Sequence, residues 1–496
     1  MKNSRSLLAV IKFTIISFLL GVFYVLYINY NEHNRIGEVQ YLLPASSQLG
    51  MLFKIIAEHS GDQQAFVNMK KNGKYYWPEE NVTFDYEVRP TSFKALERVQ
   101  NISKAAKQNK PETRWDGYLR VHQFGEELSK QMRIMLGVVN FPGFEKMKIV
   151  APRFRNGGSG SAGPTTFDAV YNLDELNKVF AKNGYAPIVL DKEYDDVCKN
   201  FKPIYVVAFI PPSGGRREPP ITKSIRDQLY GKVPKRNEQK WIYCDFYKKY
   251  LGGLRVNLTE RKILCTTNRF NISALRQTAL KNAKCIEIPS WGDHGGMGIG
   301  GPNRLSPDEI FHYVLNPSDM IVNEVKAFTE KYLQRPYVAI HMRANHINSL
   351  PSTINRCFKL ALKVVEALKV KRGIKSIYLS TDMNKFGGSG SYDPGHEEYF
   401  AAISGAIRYE PNATGQLTDI SRSSISITNV LLLRKSDHLI ALGAGSFHGF
   451  VMGQFLREHF EKDRKTWSMI RMCENARGRG MNRDPNADYS KYILQN

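Results

Sequence analysis

The sequence predicts an α/β protein whose parallel sheet is wrapped by helices on both faces. Three observations predict it. First, helical and strand-like segments alternate cleanly through the second half. "SDMIVNEVKAFTEKYL" (318–333) leads to "YVAIHMR" (337–343), "TINRCFKLALKVVEALKV" (353–370) to "SIYLSTD" (376–382), and "SITNVLLLRKSD" (426–437) to "HLIALGAGSF" (438–447), with another helix beyond. Second, residues 125–140 carry apolar side chains at Leu128, Met132, Met135, Leu136 and Val139, the three-and-four spacing of one buried helical face. Third, a helix-then-strand unit recurs earlier. "KMKIVAP" (146–152) is a short strand stopped by proline, and "FDAVYNLDELNKVFAKNGYAPIVL" (167–190) repeats the pattern. Regular α/β texture begins near "WDGYLRVHQ" (115–123).

At 496 residues the chain exceeds one ordinary domain, and 42% hydrophobic residues supply ample core. The net charge of +23, spread along the whole chain, favours anionic partners. A zinc-finger pattern or aromatic RNA-binding motif is missing, which argues against nucleic acid. "FTIISFLLGVFYVLYI" (13–28) is uncharged and follows Lys2, Arg5 and Lys12. As a helix it rises about 24 Å, and extension back to residue 7, with Lys12 snorkelling, makes a full span.

The expected plan is a cytoplasmic tail (1–12), a transmembrane signal-anchor (13–28, or from 7), a stem (29–110) and a lumenal body. A cleavable signal peptide is the rival, but its run would be shorter and end in small residues, where this one ends "YINYNEHNR". Five glycosylation sequons, at Asn81, Asn101, Asn257, Asn271 and Asn412, agree with a lumenal body, as do six cysteines able to form up to three disulfides. The expected location is the Golgi or endoplasmic reticulum membrane, single-pass and type II; "YILQN" at the end carries no retrieval signal of the KDEL type.

Two glycine-rich segments punctuate the body. "RNGGSGSAGP" (155–164) lacks the Walker lysine and the strict GxGxxG spacing, so it is either a phosphate-approaching loop or a plain surface loop. Residues 288–310 look like a connector, dividing the body into domains 111–300 and 301–496.

In wrapped parallel sheets ligands bind at the carboxyl ends of strands, where His341, Arg343, Thr381, Asp382, Ser446 and Phe447 fall. Arg343 offers a planar fork with permanent charge, suited to a diphosphate. His341 and Arg343 stand two apart and leave the same strand face. Asp382 suits a ribose or base edge, Phe447 a stacked base and Ser446 a phosphate. Singly, each has a plainer reading: a structural ion pair for Arg343, a core imidazole for His341, a helix cap for "STD", a tight turn for "GAGSF". At corresponding ends of successive strands they imply a shared anion-binding edge. A D-x-D pair is missing from the chain, so a guanidinium is the expected substitute for a metal in neutralising a departing diphosphate. There is also no G-x-S-x-G elbow or P-loop, which weighs against a hydrolase, a kinase or a sulfotransferase.

With these residues in hand, the chain resembles the GDP-fucose protein O-fucosyltransferases and their wider fucosyltransferase relatives, most clearly over residues 305–457. "RPYVAIHMR" is similar to the family's strand ending in H-x-R, "SIYLSTD" to its (A/S)-T-D strand, and "SDHLIALGAGSFHGFV" to its D-H-F-I-G…S-S-F segment, which puts Asp437, Ser446 and Phe447 on family positions. Residues 122–154 are a weaker match to the first Gly-Asn helix and the strand after it. The resemblance implies a GT-B architecture, two Rossmann-like domains facing across a cleft, with GDP-fucose on the second, the acceptor near the first, and inversion at the anomeric carbon.

By the same resemblance Arg343 contacts the β-phosphate, His341 the nucleotide, and Asp437 and Phe447 the guanosine. Departures are Ser129 and Lys130 in place of Gly-Asn, Asn345 and His346 where a carboxyl follows H-x-R, and Gly445 for the first serine of S-S-F. One branch uses a loop glutamate as general base, a role open to Glu126 or Glu127. The expectation is therefore a metal-independent, lumenal glycosyltransferase that needs no cofactor beyond its GDP-fucose donor and acts on a protein or glycan hydroxyl. The alternatives are a transferase using another sugar nucleotide and a catalytically silent relative that binds glycan or protein.

Overall fold

The computed structural model describes residues 75–77, 82–85, 90–105, 115–123, 128–139, 143–154, 165–210, 241–245, 248, 260–266, 272–290, 305–344, 347, 351–382, 395–411, 413–418, 420–463 and 466–472. The chain divides into two compact units, Met1–Thr83 and Phe84–Asn496. In the first, the described structure is strand β1 (Tyr75–Trp77) and the start of β2 (Val82–Asp85).

The second unit holds two sheets. In chain order its elements open with α1 (Pro90–Ala105), β3 (Gly117–Gln123), α2 (Leu128–Val138), β4 (Met147–Val150), α3 (Leu173–Lys182), β5 (Ile188–Val189) and α4 (Asp191–Cys198). β6 (Ile204–Phe209), β7 (Trp241–Tyr243), β8 (Arg261–Thr266), α5 (Ile272–Gln277) and β9 (Cys285–Ser290) complete the first sheet's share. Its order is β5-β4-β3-β9-β6-β8-β7, parallel throughout except for the edge strand β7.

The second sheet's share is α6 (Pro307–Tyr313), α7 (Asp319–Tyr332), β10 (Tyr337–Met342), α8 (Pro351–Arg372), β11 (Ser376–Thr381), α9 (Gly395–Ser404), β12 (Ile407–Arg408), α10 (Arg422–Lys435), β13 (His438–Leu442), α11 (Ser446–His459) and β14 (Ser468–Met472). There β14, β13, β10, β11 and β12 lie side by side and parallel, and Phe84 and Asp85 of β2 pair antiparallel with β14.

The local chemistry explains these elements. Every residue of β10 and of β13 is buried, the continuous apolar run required of a strand covered on both faces. Ser306 and Glu309 form a reciprocal capping box with Pro307 in the first turn of α6, while Asn172 and Ser421 cap α3 and α10 through their side chains. The helices and strands expected from 318 to 382 appear within two residues of their expected limits, whereas α10 begins four residues earlier than expected, β13 stops five residues short, and α2 begins three residues later. Patterning assigns no strand between 191 and 287, where the structure has β6, β7, β8 and the first half of β9. β6 and β8 are central, mostly buried strands, and short apolar runs of that kind carry no alternation to mark them.

Part of the segment expected as stem belongs to the body. Leu96, Val99 and Ile102 of α1 are buried in the main core. Arg98 pairs with Glu309 of α6, and Gln100 Nε2 donates to Glu461 at 2.8 Å. An apolar helical stripe has to be covered, and α6 does so. The signal-anchor segment 13–28 lies outside the described residues; among those described, no helix is long and apolar enough to cross a membrane.

Cys198–Cys285 joins α4 to β9, Cys244–Cys265 joins β7 to β8, and Cys357 is also disulfide-bonded. Between the two sheets α2, α6 and α11 pack on one another. Gly453 lets α11 approach α6 closely, since a Cβ there would meet the His312 backbone oxygen at 3.2 Å. Gln454 Nε2 and Arg457 Nη1 then donate to the closing carbonyls of α6.

Candidate active site

The carboxyl edge of the second sheet is set by register. His341 of β10 is level with Ser380 of β11 and Ala441 of β13, and Met342 with Thr381 and Leu442. Arg343 and Asp382 are thus the first residues beyond neighbouring strands. The Arg343 amide still donates to Leu442 O (2.9 Å) and the Asp382 amide to Met342 O (3.3 Å), so both leave the sheet on fixed backbone. Gly443 follows β13 at φ 99°, and a Cβ there would lie 2.7 Å from Arg343 O. Only glycine combines that conformation with that approach. Gly445, at φ 111°, then turns the chain into α11.

The side chains converge. The Asp382 Oδ1 accepts the Ala344 amide at 2.8 Å, and Oδ2 lies 3.9 Å from Arg343 Nε. The Arg343 guanidinium carbon stands 5.9 Å from the centre of the Phe447 ring. The Phe447 ring is 6.0 Å from His341, which is 5.3 Å from His448. His341 is only 3% exposed, and neither ring nitrogen has a hydrogen-bond partner among the described residues. Burial first, and then the charge of Arg343, push its pKa down to about 3, so it is a neutral imidazole at any physiological pH. Among the described residues Arg343 Nε likewise makes no hydrogen bond, while 27% of the side chain reaches solvent. A partly exposed guanidinium beside the positive end of a 14-residue helix is an anion-binding arrangement.

The expected site residues divide. His341, Arg343, Asp382 and Phe447 come together. Ser446 opens α11 beside them. Asp382, expected to face a ribose or base, instead spends one oxygen on the Ala344 amide and directs the other at Arg343. Phe447, expected to stack on a base, flanks the guanidinium. Asp437 is a correction. It sits at the opposite, amino edge of the sheet, where Oδ2 accepts the Tyr337 amide at 2.9 Å and Oδ1 lies 3.6 Å from Arg335. The five residues of β13 separate it from the site by about 16 Å. Its carboxylate therefore ties β13 to the start of β10. Glu126 and Glu127 lie outside the described residues, as do Asn81, Asn257, Asn271 and Asn412; Asn101 is exposed on α1.

Two groups were not legible in the sequence. His448 is buried against His341, one residue past the "GAGSF" turn, where the sequence marks only the start of a further helix. Midway along β9 in the first sheet, Glu287 is wholly buried. Arg261 donates to it from Nε at 2.7 Å and Nη2 at 2.9 Å, and Tyr194 from its hydroxyl at 3.0 Å. His122 Nε2 lies 3.4 Å away and Arg120 Nη1 4.0 Å away. Burial alone raises the Glu287 pKa, but Arg261 and His122 outweigh it and hold the carboxyl far below the ordinary range. Strand ends reveal such a cluster only once β9 is known to lie beside β3. Among the described residues, no group of three or more His, Cys, Asp or Glu side chains is placed to hold a metal ion.

No protein-family model matches the sequence, and no curated protein matches it. Solved structures do. POFUT1 in complex with GDP-fucose is 13% identical, with a TM-score of 0.43 over 73% of this chain and 99% of that one. NodZ α-1,6-fucosyltransferase soaked with GDP-fucose is 11% identical, with a TM-score of 0.33 over 68% of this chain and 92% of that one. NodZ from Bradyrhizobium is likewise 11% identical, with a TM-score of 0.33 over 68% and 93%. The chain is thus similar to solved fucosyltransferases at low identity, and what it does has to rest on the residues at its two sheet edges.

Proposed function

We propose that the protein is a glycosyltransferase that moves fucose from GDP-fucose to a hydroxyl of a protein or glycan. The observation that carries this reading is the partly exposed Arg343 guanidinium, held between Asp382 and Phe447 at the start of α11. A diphosphate leaving group needs such a charge held ready where the negative charge develops. The H-x-R, S-T-D and S-F segments that resemble the fucosyltransferases supply all four converging side chains, His341, Arg343, Asp382 and Phe447, and this favours a GDP-sugar over other donors.

In the proposed reaction the acceptor oxygen attacks the anomeric carbon from the side opposite the diphosphate, with inversion. The C–O bond to the β-phosphate breaks, and Arg343 takes up the charge without a metal. The buried neutral His341 supplies a hydrogen-bonding nitrogen to the nucleotide. A lumenal, membrane-anchored placement is part of the proposal, in keeping with the disulfides.

Thermal unfolding with GDP, UDP and CMP tests the donor. GDP in large excess over its dissociation constant stabilises the fold by a few kcal/mol, and UDP and CMP do so less. The absence of any GDP shift would remove the proposal, and a larger shift with UDP would redirect it to another sugar nucleotide.

A further inference from the structure

His122 is the penultimate residue of β3, level with Pro289 of β9, and shares a strand face with Arg120. Behind it stands an ionised carboxylate that cannot move. Glu287 is gripped by Arg261 on two nitrogens and by the Tyr194 hydroxyl. The remaining charged groups around the ring balance one another. Arg120 bonds Asp191 at 3.0 Å and Asp195 at 2.8 Å and lies over the Tyr194 ring at 3.8 Å, and Arg153 acts on Asp191 from beyond β4. Asp191, the first residue of α4 after β5, also feels His122.

The place matters as much as the pairing. β3 leads towards α2, β13 leads into α11, and α2 and α11 pack together. The strand end carrying His122 and the one beside Arg343 therefore feed two helices in contact.

We propose that His122 is the general base for the attacking hydroxyl and that Glu287 is its positioning residue, an assignment that rests on the glycosyltransferase reading above. With Nε2–H turned to Glu287, Nδ1 carries the lone pair. The acceptor O–H proton passes to Nδ1 as the oxygen's electrons form the bond to the anomeric carbon. The sugar–phosphate bond breaks, its electron pair leaves on the diphosphate at Arg343, and the imidazolium later gives its proton to water. Glu287 keeps its negative charge throughout and stabilises the imidazolium. The 3.4 Å separation is longer than a formed hydrogen bond and has to shorten when the acceptor seats.

The test uses the full-length protein with water as acceptor, following release of GDP from GDP-fucose. His122→Gly should slow release by about 100-fold or more, the usual range for a lost general base, and should keep the thermal shift with GDP. Added imidazole should restore part of the rate, and Glu287→Gln should lower kcat with little change in KM. Undiminished release by His122→Gly, or no rescue by imidazole, would each overturn the assignment. A GDP shift without any turnover in the wild type would also count against it while leaving the donor site standing. No GDP shift at all would overturn both.

Discussion

Asp382 holds Arg343 from two sides of one loop: Oδ1 accepts the amide of Ala344, the residue after the arginine, and Oδ2 faces the arginine's Nε at 3.9 Å. The carboxylate thereby sets both the backbone turn that carries the guanidinium and the direction in which the guanidinium lies. Asp382→Asn keeps an oxygen for the amide and removes the charge. The expected result is a fall of roughly 10- to 100-fold in GDP release with little change in thermal midpoint, equivalent to about 1.4–2.7 kcal/mol in the barrier. Arg343→Ala, which removes the guanidinium itself, should cost about 100- to 1,000-fold. Steady-state rates and melting curves on the two variants check the order. Equal activity in Arg343→Ala and wild type would refute the leaving-group role.

Gly443 makes room for that arginine. A Cβ would stand 2.7 Å from Arg343 O and 3.2 Å from Arg343 Cβ, on a backbone already at φ 99°. Gly443→Ala should destabilise the protein by about 1–3 kcal/mol and weaken GDP binding more than Gly405→Ala, where φ is also positive but no atom lies within 4 Å of the added carbon. Denaturant midpoints and GDP titrations separate local displacement from backbone strain.

Acid should unfold the protein from a higher pH than carboxylate titration alone would set. Burial pushes His312, His438 and His459 down to about 4 and, with the charge of Arg343, His341 to about 3. All four fall below the ordinary histidine value near 6.5, so the unfolded chain binds protons first. Stability is complete above that value and is lost as pH falls below it towards the folded-state values. At pH 5.5 each buried histidine costs on the order of 1 kcal/mol. Urea midpoints at pH 7 and pH 5.5 should differ accordingly, and unchanged midpoints would refute the burial argument.

The Cys198–Cys285 bridge closes 87 residues and ties the α4 end of the first sheet to β9, the strand that carries Glu287. By the chain-entropy estimate its removal costs about 4–5 kcal/mol. Chemical denaturation of Cys198→Ser/Cys285→Ser should show that loss. If the bridge also holds Glu287 in place, the variant should turn over more slowly while keeping its thermal shift with GDP.

Local chemistry made the second sheet legible. Helix caps, prolines and fully apolar strands mark 318–447 because each element there is decided within its own few residues, and the same-face relation of His341 and Arg343 follows from strand geometry alone. Asp437 shows where such reading fails. Its motif position suggests a ligand contact, yet a residue before a strand belongs to the opposite edge from one after it, and strand limits alone decide which. α1 reads as part of a stem because its polar punctuation is local while its partner, Glu309, is 211 residues away.

The sequence by itself determined that two strand ends would present an arginine and an aspartate together, since spacing and register depend on nearest neighbours along the chain. Only the tertiary structure decided that Asp382 steers Arg343, that Gly443 admits it, and that Glu287 lies behind His122. Those relations join residues 39, 100 and 165 positions apart. They are fixed by sheet order and close packing, which no local pattern encodes.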